Sequence, residues 1–251
     1  MVHQLEAKSP IKVNASVTVK LRQPYSIKHI QSAAIFCKKC SEIERKNTLD
    51  TIDPEVRLLH QAYVINSIFS SVAFLEAFIN ELFCDSKDNM EYLDKCLDNK
   101  EVIRLSNMWK LNVPRTASYS IVEKYQIALT LADKIPFEES DDIFQDIKTL
   151  TQLRNELIHY EPMWIELFDD PIKERNNMRK IGRKLQHKNF SQNPFTEAGR
   201  PYFPDKCLGH GCAQWAVMRS LAFCEKFCIK MNLSEKSGWI QKVVAPYKMN
   251  P

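Results

Sequence analysis

In the segment LTQLRNELIHYEP (residues 150–162), Arg154, Asn155 and His159 fall within about one and a half helical turns. Imidazole titrates near neutrality, so His159 can give or accept a proton at cellular pH. A guanidinium stays charged, and its planar fork matches phosphate oxygens two at a time. Together these residue types suit chemistry on a phosphodiester. Arg22 and His29 also lie a few residues apart, but Pro24 interrupts them and no helix can carry that pair.

The elements that must position these groups can be read from periodicity. At 100° per residue, Ile143, Ile147, Leu150, Leu157 and Ile158 share about one third of a helical circle. Arg154 lands inside that stripe, with Asn155 and His159 on its flank. Gln152 and Glu156 face away and read as solvated. Pro162 pushes Glu161 out of the helical region and closes the helix. An upstream helix over 62–84 has a stripe of Ile65, Ile68, Phe69, Val72, Leu75, Ile79, Leu82 and Phe83. Glu76 falls within it and Asn80 lies beside Glu76. A buried, unpaired charge costs several kcal/mol, so Arg154 and Glu76 should pair or face a polar cleft. A structural ion pair backed by Asn80, and a site where Glu76 and Asn80 hold Arg154 and His159, both fit.

Around these two helices the chain reads as mainly α. Residues 11–22 alternate apolar and polar, a β pattern stopped by Pro24, which defines an N-terminal arm over 1–24. The helical domain covers 25–251. Helices are expected at 27–46, 55–84, 88–108, 118–133, 139–160 and 211–231, with a short basic one near 171–187. Asp53-Pro54 is a helix start. Residues 162–206 carry five prolines and much charge, and read as a long, partly irregular basic loop before the last helix.

The 251 residues are 44% hydrophobic and 26% charged with only 5 Gly, which favours helices over a turn-rich β architecture. Net charge +4 permits contact with nucleic acid without demanding it. The first residues lack the apolar core of a signal peptide, and AYVINSIFSSVAFL (62–75) is too short to span a bilayer, so it reads as a buried helix. The 8 Cys are expected as thiols in a reducing cytoplasm. In KERNNMRKIGRKLQHK (173–188), Lys173, Arg175, Arg179, Lys180, Arg183, Lys184 and Lys188 form either a solvated face or a track for RNA phosphates, with Phe190 and Phe195 as stacking candidates. Cys207-x2-His210-x-Cys212, followed by Cys224 and Cys228, has metal-capable types without paired spacing, so these read as core thiols. Cys37-x2-Cys40 sits on a helix without an expected redox role. His60 and His187 read as surface residues, and Trp109, Trp164, Trp215 and Trp239 as packing anchors. No phosphate loop or nucleophile elbow is present, and neither metal nor cofactor is expected.

RNELIH resembles the R-x4–6-H signature of the HEPN superfamily (higher eukaryotes and prokaryotes nucleotide-binding), whose members favour Asn, Asp or His after the arginine. SSVAFLEAFINELF (70–83) looks like the helix preceding that signature in bacterial members. NPFTEAGRPYFPDKCLGHGCAQWAVMRSLAFCEKF (193–227) is similar to the C-terminal part of an uncharacterised bacterial group. The resemblance covers roughly 55–231. It implies a helical bundle that dimerises, joining two motif copies around one cleft. Active members are metal-independent endoribonucleases, often toxins or defence effectors with an antitoxin or regulatory partner. They leave a 2′,3′-cyclic phosphate after attack by the 2′-hydroxyl. Carried over, His159 is the general acid/base or orients the 2′-hydroxyl, Arg154 binds the scissile phosphate and Asn155 fixes the geometry, with Glu76, Asn80 and Tyr160 in support. One toxin subgroup has a tyrosine two residues after the histidine; here Glu161 holds that place and Tyr160 follows directly, so regulation through that tyrosine is not implied. Many members have lost activity, which leaves a silent module binding RNA or a nucleotide as the alternative, and a purely structural helical oligomer as a third.

Overall fold

Asp53 and Pro54 begin the longest helix, and the computed structural model builds the domain around it. Residues 22–112, 119–162 and 178–233 are described, with 242 and 245 besides. The helices are α1 (Ser26–Lys46), α2 (Pro54–Lys87), α3 (Glu91–Asp94), α4 (Asn99–Lys110), α5 (Ile121–Leu131), α6 (Asp142–Ile158), α7 (Lys180–Gln186) and α8 (His210–Lys230), with a π-helical turn at Tyr202–Lys206 before α8.

Short polar side chains set the helix starts. The Asp53 carboxylate accepts the Glu55 N–H at 2.8 Å, and Asp98 with Glu101 and Ser120 with Glu123 form reciprocal capping boxes. The Asp98 box, with Asn89 at φ 50°, divides the helix expected over 88–108 into α3 and α4. Five helices are followed within three residues by a non-glycine residue in the left-handed region: Asn89, Asn112, Asp133, Asn189 and Asn232. Asn and Asp tolerate that conformation because their short polar side chains bond locally.

With 34 residues, α2 is about 51 Å long. It packs against α1, α4, α5, α6 and α8. By length and composition it could cross a membrane, yet half of its most apolar window is buried within the bundle. Its buried serines bond to carbonyls: Ser67 to Ala33 at 3.0 Å, Ser71 to Ser67 at 2.8 Å and Ser86 to Leu82 at 2.9 Å. The core centres on Tyr125, whose ring meets Phe223 and Phe227 edge-on at 4.9 and 4.7 Å. Its hydroxyl donates to the Leu75 carbonyl at 2.8 Å.

No strand occurs among the described residues. The alternating segment lies outside them except for Arg22, which is not in a strand. Of the expected 162–206 loop, the described part is partly irregular, with turns and coil over 187–201, yet it is packed: α7 folds within it, and Phe195, Tyr202 and Phe203 are buried. Trp164, Lys173, Arg175 and Trp239 lie outside the described residues. His60, expected at the surface, is fully buried because α1 and the Phe195 ring cover it. His187 is exposed, and Trp215 is buried as an anchor.

Candidate phosphodiester site

Helix α6 is buried along Ile143, Phe144, Ile147, Leu150 and Leu153, and then leaves the core. Leu157 is only partly buried and Ile158 is 50% exposed. The apolar stripe expected to run to 158 thus stops at Leu153, and the last turn overhangs the bundle. The helix ends at Ile158, two residues before the expected end. His159 is its C-cap, with φ −104° and ψ 41°, and donates its backbone N–H to the Asn155 carbonyl at 2.8 Å. Arg154 is half-buried, and Asn155 and His159 are exposed. Among the described residues, none of these three side chains has an ion pair or hydrogen-bond partner.

Glu76 is not the partner of Arg154. The Lys124 ammonium, almost wholly buried, donates to the Glu76 carboxylate at 2.6 Å. The acid on the apolar stripe of α2 therefore neutralises a lysine presented by α5. Asn80 lines a different hollow with Arg22, Glu81 and Trp109. The part of α2 facing the end of α6 lies around Arg57, Gln61 and Ile65, and Gln61 is about 22 Å along the helix from Glu76. Glu76 and Asn80 are thus separated from the Arg154–His159 group by helix geometry.

The flank of α6 expected to be solvated is covered by cations from α7 and the residue before it. Lys184 donates to Gln152 Oε1 at 2.8 Å. The Arg179 guanidinium pairs with Glu156 at 3.2 Å, donates to the Glu161 carbonyl at 2.9 Å, and lies 5.2 Å from the Tyr160 ring centroid. Lys180 and Arg183 are exposed beside it. Burial, with the neighbouring Lys180, Lys148 and Lys188 charges, holds the Lys184 pKa below the ordinary lysine value. The cations around α7 are thus crowded and would gain from an anion.

A cleft of about 550 Å³ opens next to the end of α6, with Leu157 and Tyr160 on one wall and Arg57, Gln61, Arg200 and Asp205 among the others. The Asp205 carboxyl is pushed up by burial, and its Oδ2 is buried with no hydrogen-bond partner among the described residues. Arg57 and Arg200 carry no periodic or motif signal, so the sequence reading missed them; only the fold brings them to Tyr160. Phe195 is buried and cannot stack a base, while Phe190 packs near Trp215.

No protein-family model, curated protein or solved structure matches the chain. The physical content of the site is an accessible imidazole, an adjacent amide and a guanidinium with no acid beside it among the described residues, at a protruding helix end with a cationic helix alongside. Such a set can bind a phosphodiester and exchange a proton with it.

Proposed function

We propose that the chain is a metal-independent endoribonuclease of HEPN type, acting on single-stranded RNA in the cytoplasm as a toxin or defence effector. The observation that carries the reading is Arg154: a half-buried guanidinium with no counter-ion among the described residues, within five positions of an exposed histidine. A half-buried guanidinium of this kind still offers its planar N–H fork to a phosphate. Arg154 would grip the scissile phosphate, and Asn155 would hold the geometry. His159 would take the proton of the 2′-hydroxyl as its oxygen attacks phosphorus, and the bond to the 5′-oxygen would break. That 5′-oxygen would receive a proton from water or from the second copy's imidazolium. The products are a 2′,3′-cyclic phosphate and a 5′-hydroxyl end. Arg179, Lys180, Arg183 and Lys184 would track the flanking phosphates, and Lys173 and Arg175 belong to the same basic run. The exposed Ile158 and Tyr160 beside the motif would meet a second copy, which brings its own motif to the cleft.

The crowded lysines around α7 also favour a second reading, a module that binds RNA without cutting it. Purified protein should cleave single-stranded RNA in buffer free of added magnesium or manganese. His159→Ala should lower the rate at least about a hundredfold with secondary structure and oligomeric state unchanged. RNA bound but uncut by the native chain would favour the second reading, and neither binding nor cutting would remove both.

A further inference from the structure

Far along α2 from Glu76, where its first turns meet the end of α1 and the start of α8, three metal-capable side chains converge. Cys40 and Glu44 stand one turn apart on α1, and His60 comes from α2. One ligand atom of each lies within 4.8 Å of the others. His60 Nε2 is 2.8 Å and Cys40 Sγ 3.7 Å from Glu44 Oε1. The Cys40 and His60 side chains are buried, and that of Glu44 is 15% exposed. Among the described residues, Glu44 pairs with no lysine or arginine. Among the described residues its carboxylate meets His60, the Cys40 thiol and the His210 N–H, which donates to Oε1 at 2.6 Å, with the His210 ring close enough to interact with it.

We propose that Cys40, Glu44 and His60 bind a zinc ion that ties α1 to α2 near the start of α8. Thiolate, imidazole and carboxylate are the ligand types zinc accepts, and sulfur with nitrogen disfavours magnesium and calcium. Around tetrahedral zinc these atoms stand about 3.3–3.6 Å apart, so shifts of about 1 Å bring the three into place. Charge also closes: the thiol releases its proton to solvent on binding, and one thiolate and one carboxylate neutralise the dication. Without the ion, burial and the Glu44 charge push the Cys40 thiol far above its ordinary pKa. The His210 N–H on Glu44 Oε1 is the contact that orients a ligating carboxylate. The fourth position falls to water, reaching it past the partly exposed Glu44. Nothing in the sequence groups the three, because they sit on two helices, with His60 sixteen residues after Glu44.

The test is metal analysis of the full chain expressed in zinc-supplemented medium and purified without chelator. About one zinc per chain is expected. Cys40→Ser should fall below about a tenth of that, while Cys212→Ser, a neighbouring thiol outside the set, should keep it. Cobalt added to chelated, refolded protein should give a thiolate-to-cobalt absorption band, lost in Cys40→Ser. A folded native chain with neither zinc nor a cobalt band overturns the proposal and leaves a hydrogen-bonded triad. So does zinc retained in Cys40→Ser.

Discussion

The two ends of α6 treat charge in opposite ways. Near its start, Asp146 is buried, and the chain supplies two cations, Lys188 at 2.5 Å and Arg219 at 2.8 Å. Near its end, Arg154 is half-buried and no described acid comes to it. The same helix thus completes one charge internally and, among the described residues, leaves the other without an acid. A charge balanced within the fold is explained by stability, whereas one with no described counter-ion still has its N–H fork to offer a ligand.

The largest difference between the ends should appear in paired stability measurements. Asp146→Ala strands two cations, one of them half-exposed, and should cost about 2–3 kcal/mol by chemical denaturation, below the range for fully buried pairs. Arg154→Ala should stay within about 0.5 kcal/mol while abolishing RNA cleavage. Equal losses of stability would show Arg154 to be a structural residue and erase the contrast.

A smaller effect sharpens the picture at the N-cap. Lys226 donates to the Asp141 carboxylate and, with the Ile143 N–H, holds its pKa below the ordinary value. A depressed carboxylate contributes stability above its unfolded pKa and loses it as pH falls through the folded one. Asp141→Asn keeps the cap but not the charge. The variant should lie about 0.5 kcal/mol below native at pH 7, and the gap should close as pH falls below about 4. A gap unchanged at low pH would mean that the charge contributes nothing.

The smallest stability effect belongs to Lys184. Its lowered pKa means that the protonated form is disfavoured in the folded state, so its penalty is present at neutral pH and relieved as pH rises through the folded pKa. Lys184→Gln should therefore not destabilise the chain at pH 7. In salt titrations of RNA binding, the slope should fall by about one unit. An unchanged slope would remove the α7 cations from the RNA path.

Much of the helical frame was legible in the sequence, because cap residues and periodicity are local. Asp53-Pro54 marked α2, and the starts of α1 and α8 came within one residue. The break at Asp98 was written there as well, in Asp98 and Glu101, but was hidden by apolar periodicity on both sides. The Arg154–Asn155–His159 group was visible as a motif, whereas its surroundings were not. Periodicity says that Glu76 faces inward without saying that α5 arrives there with Lys124 rather than α6 with Arg154. Gln152 and Glu156 read as solvated because α7 covers them from a distant part of the chain. His60 misled for the same reason: a lone polar residue early in a helix gives no hint that Glu44 waits for it on another.

The turns after five of the helices have a consequence for the unfolded chain. Asparagine and aspartate reach the left-handed conformation with a side chain still attached, whereas glycine there would add backbone freedom to every denatured conformer. With only 5 Gly in 251 residues, the denatured ensemble is narrower, and less disorder has to be surrendered when the bundle assembles.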